Sequence, residues 1–132
     1  MKLYAVDTGF YPRKNIGLKM ENIVALELLR SGLEYFYFQT RDCYEVDFLV
    51  KDGLKIKQLM QVTYTSSFDE IDKRELRALL KTYELFKKHN PKLVVVTWDY
   101  EDIIELKWFG KRSLVRFVPL WKWLFRTQLS YT

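Results

Sequence analysis

The stretch that decides the fold covers residues 33–64 and reads LEYFYFQTRDCYEVDFLVKDGLKIKQLMQVTY. Leu33–Thr40 is rich in aromatic and β-forming residues, and Tyr44–Lys51 alternates apolar and polar residues with the period of two that is typical of strands. Arg41-Asp42 separates these two runs. Asp52-Gly53, a strong hairpin signal, precedes a third run at Leu54–Tyr64. The stretch therefore predicts three consecutive strands that form an antiparallel meander.

A helix is predicted before the meander, over Asn15–Ser31. Asn15 follows a predicted loop and is suited to cap the first turn, and Gly32 is a typical stop signal just past the last turn. A short strand, Leu3–Val6, is predicted still earlier, ending at the turn Asp7-Thr8-Gly9.

A second helix is predicted after the meander, over Glu70–His89, because apolar residues recur there at helical spacing. Ser67 or Asp69 is suited to cap its start, and Asn90-Pro91 ends it. The apolar positions are Ile71, Leu76, Leu79, Leu80, Tyr83 and Phe86.

The last third of the chain predicts further strands. Leu93–Thr97 is a continuous apolar run of strand length, as expected for a central strand covered on both faces. Ile103–Trp108 and Leu114–Pro119 predict a hairpin about Gly110-Lys111, and Leu120–Gln128 predicts a short aromatic helix. The predicted fold is thus α/β: an αβββαβ core with a mixed sheet flanked by helices, a C-terminal β-hairpin and an aromatic helix, all in one domain over residues 1–132.

Composition narrows the class of protein. The chain has 132 residues, of which 48% are hydrophobic and 30% charged, so it is globular and large enough for one core. A lone cysteine, Cys43, excludes an internal disulfide and fits a reducing compartment. With no signal segment and no apolar run long enough to span a membrane, we expect a cytoplasmic protein without a membrane partner. The net charge of +5 permits nucleic-acid binding without demonstrating it.

Six segments, taken in order, carry a resemblance to a known family. They are Tyr4–Gly9, Met20–Leu29, Tyr44–Phe48, Gln61–Tyr64, Val96–Glu101 and Val118–Trp123. Together with the αβββαβ order they resemble the PD-(D/E)XK nuclease fold, in the version found as a domain of unknown function at the C-terminus of archaeal AAA-type ATPases. The resemblance implies an AAA-type ATPase as partner. The chain itself has no phosphate-binding run of the form GxxxxGK[ST].

The resemblance also implies a metal site. Glu21 matches the helix acid of these nucleases, Asp47 the strand acid, and Gln61 and Thr63 the acid and the lysine of the (D/E)XK motif. The implied catalytic residues are therefore Glu21, Asp47, Gln61 and Thr63. The implied ligands of a Mg²⁺ ion are Glu21, Asp47 and Gln61, since hard oxygen ligands hold Mg²⁺ and the metal stabilises charge on a phosphate.

The pattern of apolar and polar residues leaves two interpretations open for each of the acids Glu21 and Asp47. Helical geometry places Glu21 in the middle of an apolar face, where a carboxylate needs a partner: a metal site or a structural ion pair. Asp47 and Glu45 share one face of their strand, so they either converge on a cation or mark a solvated face.

The (D/E)XK positions are the main departure from the nuclease pattern. Gln61 offers only a neutral oxygen, and Thr63 cannot act as a cationic group. Lys55 and Lys57 share the strand face of Gln61, so they either replace the missing lysine or are charges near an exposed turn. A two-residue loop at Asp52-Gly53 would turn Asp47 and Gln61 to opposite faces, so a shared site requires a longer loop or a bulge.

These departures favour a nuclease-like domain that is catalytically weak or inactive and serves an ATPase as a nucleic-acid-binding or interaction module. An active metal-dependent endonuclease is the alternative. A homo-oligomerisation domain, for example a homodimer through the aromatic tail, is the second alternative. His89 is interpreted as a capping residue at a helix end. The aromatic residues Trp98, Trp108, Trp121, Trp123 and Phe125 are interpreted as a packed cluster or a dimer interface, with base stacking as the other interpretation.

Overall fold

The computed structural model describes residues 12–130, and the side chains of residues 15–126. The predicted strand Leu3–Val6 lies outside the described residues. Three α-helices and six strands follow one another in the described part. In chain order they are α1 (Pro12–Arg30), β1 (Glu34–Gln39), β2 (Glu45–Asp52), β3 (Lys55–Val62), α2 (Lys73–Leu85), β4 (Lys92–Thr97), β5 (Asp102–Trp108), β6 (Lys111–Pro119) and α3 (Leu120–Ser130).

The six strands form one mixed sheet in the order β1-β2-β3-β4-β6-β5. The pairs β1–β2, β2–β3 and β5–β6 are antiparallel, while β4 runs parallel to both β3 and β6. The predicted meander is confirmed, and Leu93–Thr97, predicted as a central strand, lies inside the sheet between β3 and β6. The C-terminal hairpin extends the same sheet, so the chain is an α/β protein with a mixed six-stranded sheet flanked by helices.

Helices cover both faces of the sheet and bury two apolar layers. We call them the α2 face and the α1/α3 face, after the helices that cover them. On β4, Leu93 and Val95 pack into the α2 face, and Val94 and Val96 into the α1/α3 face. This double burial explains why the strand reads as a continuous apolar run rather than as an alternation.

The first helix starts earlier than predicted and ends where predicted. α1 begins at Pro12, so the predicted loop and the cap at Asn15 are wrong; a proline is tolerated in the first turn, where its missing N–H has no intrahelical partner to lose. Gly32 has φ +76°, and the amides of Gly32 and Leu33 donate to the carbonyls of Leu29 and Leu28. This pair of bonds is a Schellman cap, which confirms Gly32 as the stop signal.

The second helix is shorter than predicted. Asp72 caps α2 by accepting a hydrogen bond from the Arg74 amide at 2.9 Å, so the predicted caps at Ser67 or Asp69 are wrong. Single turns of 3₁₀ helix lie on either side of α2, over Phe68–Glu70 and Lys87–His89. The six apolar positions predicted for this helix all pack in the α2 face.

Both hairpin turns lie one residue away from the predicted positions. The β2–β3 turn is centred on Gly53-Leu54, and the β5–β6 turn on Phe109-Gly110. Phe109 and Gly110 both have positive φ, +50° and +76°, as a type I′ turn requires. No helix in residues 12–130 is long and apolar enough to cross a membrane.

The aromatic set interpreted as a packed cluster or a dimer interface does not form one packed cluster, because its rings are distributed over both faces; the dimer interface and base stacking stay predictions. Trp108 packs beside Tyr44 on the α2 face, and Trp123 packs into the α1/α3 face. Trp121 and Phe125 of α3 are 63% and 60% exposed.

Candidate functional site

A bulge in β3 brings Asp47 and Gln61 to the same place. Next to the turn, Asp52 pairs with Lys55 and Lys51 with Ile56, but Val50 then pairs with Gln58, so Lys57 is an extra residue. Beyond this bulge Phe48 pairs with Met60, which puts Asp47 opposite Gln61. The bulge that a shared position requires is therefore present.

A second irregularity, in β2, turns Asp47 towards β3. Phe36 pairs with Leu49 and Phe38 with Val46, so β2 has one residue more than β1 at this point. Val46 packs on the α2 face and Phe48 on the α1/α3 face. Asp47 lies between them, and its carboxylate Oδ2 accepts a hydrogen bond from the Val62 amide at 2.9 Å.

The side chain of Gln61 completes a reciprocal bridge between the two strands. Its Oε1 accepts a hydrogen bond from the Asp47 amide at 2.9 Å, while its Nε2 donates to the Glu45 carbonyl at 2.8 Å and to the Glu75 carbonyl at 3.0 Å. Gln61 is only 1% exposed. Both amide hydrogens and the amide oxygen are thus used, as a buried amide requires. We call these four hydrogen bonds, made by Asp47 and Gln61, the Asp47–Gln61 clamp; it joins β2, β3 and α2.

Glu21 lies on the other side of the sheet from the Gln61 side chain. It is 7% exposed and belongs to α1, next to Met20, Val24 and Ala25, which fill the α1/α3 face. Gln61 alternates with Met60 and Val62 of that face and bonds to α2 instead. The structure therefore brings Asp47 and Gln61 together and places Glu21 in the opposite layer from Gln61.

The remaining predicted residues lie around the clamp or far from it. Glu45 is exposed, and its carboxylate accepts a hydrogen bond from the Tyr37 hydroxyl. Thr63 is half-buried just past β3, with its amide bonded to the Val96 carbonyl at 2.9 Å. Lys55 and Lys57 lie at the other end of β3, about 13–20 Å along the strand from Gln61 at roughly 3.3 Å per residue.

The Gln61 side chain does not fit a Mg²⁺ site as it is arranged. Mg²⁺ requires near-octahedral oxygen ligands at short distance. Gln61 directs its Oε1 at an amide hydrogen, and its own amide hydrogens point at two carbonyl oxygens. Among the described residues, no group of three or more His, Cys, Asp and Glu side chains is placed to hold a metal ion.

Two contacts that the sequence does not predict shape this region. The Ile56 amide, beside the bulge, donates to His89 Nδ1 at 3.2 Å, so His89 supports β3 with its side chain as well as lying at a helix end. The Glu75 carbonyl of α2 accepts from Gln61 although it lies in the first turn of a helix, where no local pattern announces such a contact. Neither contact carries a sequence signal, because both join residues at least 14 positions apart.

Alternation on β6 could have revealed another group of residues. Arg112, Leu114 and Arg116 are all exposed and, at every second position, point to the α1/α3 face. Within residues 12–130 no helix covers the sheet at this place, since the buried residues of this face come from α1, β2, β3, β4, the end of β6 and the start of α3.

Comparison with known families gives one match. Residues 16–120 match the family described as a domain of unknown function, DUF4143. The match includes α1 from its fifth residue onward, all six described strands and the clamp, and ends at the first residue of α3. No curated protein matches the chain. Because the match extends over well more than half of its 132 residues, the chain belongs to the DUF4143 family.

Proposed function

We propose that this chain is a nuclease-like domain of the PD-(D/E)XK type that has lost efficient catalysis and serves as a binding module of an AAA-type ATPase. The single observation that carries the proposal is the Asp47–Gln61 clamp. The two positions that match the strand acid and the motif acid make four hydrogen bonds, each to the main chain of a neighbouring element. The Gln61 amide and one Asp47 carboxylate oxygen thus join β2, β3 and α2 at the place where the resemblance implies chemistry.

The order of the elements supports the nuclease-like part of the proposal. A helix, a three-stranded antiparallel meander, a second helix and a strand parallel to the third one agree with the αβββαβ core. The association with an ATPase rests on the six resembling segments.

The two changed motif positions support weak catalysis. A neutral amide at Gln61 supplies no negative charge to a cation, and Thr63 supplies no positive charge near a phosphate. Loss of one such electrostatic contributor commonly lowers a rate by about 10² to 10³. Lys55 and Lys57 are too far along β3 to replace the lysine at Thr63.

The experiment is a cleavage assay on plasmid and branched DNA with Mg²⁺ and with Mn²⁺. We expect no cleavage above background for the wild type or for Asp47→Asn, which keeps an oxygen to accept from the Val62 amide. Efficient metal-dependent cleavage by the wild type that Asp47→Asn abolishes would overturn the proposal in favour of an active endonuclease.

A second candidate function is homo-oligomerisation, favoured by exposed apolar side chains on the two helices of one face. Leu26 and Leu29 of α1 are 66% and 59% exposed, and Trp121 and Phe125 of α3 are exposed to a similar degree. Light scattering coupled to size exclusion, over a tenfold range of concentration, tests it. A Leu26→Lys variant should remain monomeric if the wild type forms a dimer through this surface.

A further inference from the structure

The sheet carries an open groove that the proposed function does not assign. Among the described residues, α1 and α3 leave β5 and most of β6 uncovered on the α1/α3 face. The cavity there has a volume of about 810 Å³ and also extends to Tyr83 of α2. Its floor includes Ile103 and Leu114, which are 63% and 64% exposed. Trp123 of α3, which is half-buried, lines one side. We call this surface the β5–β6 groove.

The β5–β6 groove is strongly basic. The charged side chains that line it are Lys57, Lys92, Arg112, Arg116 and Arg126, and no Asp or Glu of the described chain is among its lining residues. They come from β3, β4, β6 and α3, so the fold brings together positive charge from three separate stretches of the chain, the last of which includes the adjacent β6 and α3.

Two carboxylates at the margin do not neutralise this charge. Glu105 lies 3.5 Å from Arg112, and Glu101 lies 3.9 Å from Arg126, with all four side chains at least 43% exposed. Exposed ion pairs of this kind are weak and are screened by salt, so a polyanion competes with them for the arginines.

The combination of positive charge and apolar surface indicates which class of ligand the β5–β6 groove binds. Phosphates suit the five cations, whereas Ile103, Leu114 and the Trp123 ring offer contact area to flat, uncharged groups. Unpaired bases present such flat faces beside a phosphate backbone, and aromatic rings bind them by stacking. Paired bases are already stacked inside their helix and cannot reach the floor of a groove.

We propose that the β5–β6 groove binds single-stranded nucleic acid. The inference rests on the proposed function in that it names the ligand of the binding module, and it assigns that ligand to a surface outside the Asp47–Gln61 clamp. Binding is mainly electrostatic and independent of base sequence. Five neutralised phosphates give a slope of about −3.5 for log K against log salt, so affinity falls about 100-fold between 50 and 200 mM salt.

Fluorescence anisotropy with a labelled 20-nucleotide oligo-dT in EDTA tests the proposal. The test variant is Arg112→Gln/Arg116→Gln, and the matched control is Lys73→Gln/Arg77→Gln, which removes two exposed charges from α2 on the other face. We expect the wild type to bind at 50 mM salt. The slope of log K against log salt should be about 1.4 units shallower for the groove variant than for the wild type. The control should retain the wild-type slope.

Three results would overturn this assignment: no binding at 50 mM salt, an equal loss of affinity in both double variants, or equally tight binding of an acidic polyglutamate peptide. The last would indicate an acidic protein segment as the ligand. Because EDTA removes divalent metals, this experiment reports binding alone. Failure of the proposed function would appear instead as metal-dependent cleavage, in the separate assay on plasmid and branched DNA.

Discussion

Replacing Gln61 by leucine tests the clamp through its contribution to stability. Leucine is similar in size but makes no hydrogen bonds, so the Asp47 amide and the Glu45 and Glu75 carbonyls lose their bonds to residue 61. A buried backbone group left without a partner costs about 1–3 kcal/mol. Leucine gains some apolar burial at a position that is 1% exposed, and this gain offsets part of the cost. We therefore expect a net loss of about 2–4 kcal/mol in the free energy of unfolding.

Urea unfolding followed by circular dichroism measures this loss, with Gln58→Leu as the matched control. Gln58 lies on the same strand, is partly exposed and faces the other layer. We expect the control to change stability by less than about 0.5 kcal/mol, as is usual for surface substitutions. At about 3–5 °C per kcal/mol for a chain of this size, Gln61→Leu should lower Tm by about 6–20 °C. Equal stabilities for the two variants would refute a structural role for the Gln61 amide.

Three further predictions follow from the same geometry. Gln61→Glu, which restores the motif acid, should be less stable than the wild type at pH 7, because burial raises the pKa of the new carboxyl and its ionised form faces two carbonyl oxygens. The folded state binds the proton of this carboxyl more tightly than the unfolded state, so the loss of stability should become smaller as the pH of the urea titration is lowered towards 5. A loss that becomes larger at low pH would contradict this. His89→Phe should lower the free energy of unfolding by about 1–3 kcal/mol, because it leaves the buried Ile56 amide unpaired. His89→Asn should lose less, because it offers an oxygen near the Nδ1 position; equal losses for the two variants in chemical denaturation would contradict the bond. Phe109→Asn should raise the free energy of unfolding by about 0.5–1 kcal/mol, because asparagine suits φ +50° in a type I′ turn and Phe109 is 83% exposed. A lower Tm by calorimetry would show that the ring contact with Trp108 stabilises the fold more than the turn conformation does.

Much of the fold is predictable because its signals are local. Alternation and turn residues place the meander, and the continuous apolar run at Leu93–Thr97 identifies the strand that is buried on both faces. The boundaries that differ have local causes too. A proline fits a loop as well as a first helical turn, so Pro12 did not reveal that α1 begins there. Gly53 takes positive φ as the first residue of its turn rather than the second, which moves the turn by one position.

The candidate site is less predictable because it depends on register and on distant partners. Whether Asp47 and Gln61 share a position depends on the bulge at Lys57, and an extra residue in a strand leaves no signature in the alternation of nearby polar and apolar residues. The function of the Gln61 amide depends on the Glu75 carbonyl, which α2 supplies only after the helix has packed on the sheet. The cations of the β5–β6 groove likewise come together only in the fold, because Lys57 and Lys92 are distant in sequence from the arginines of β6 and α3.

The most direct test of the account is a titration of the ¹⁵N-labelled chain with Mg²⁺, observed by NMR at the Gln61 side-chain amide and at the Asp47 and Val62 backbone amides. These groups form the Asp47–Gln61 clamp. If the clamp is structural, their resonances stay in place through millimolar Mg²⁺ and the Gln61 amide protons exchange slowly with solvent. Saturable shifts confined to these three residues, with faster exchange of the Gln61 amide protons, would mean that the side chains leave the backbone to ligate a metal, and would contradict the account.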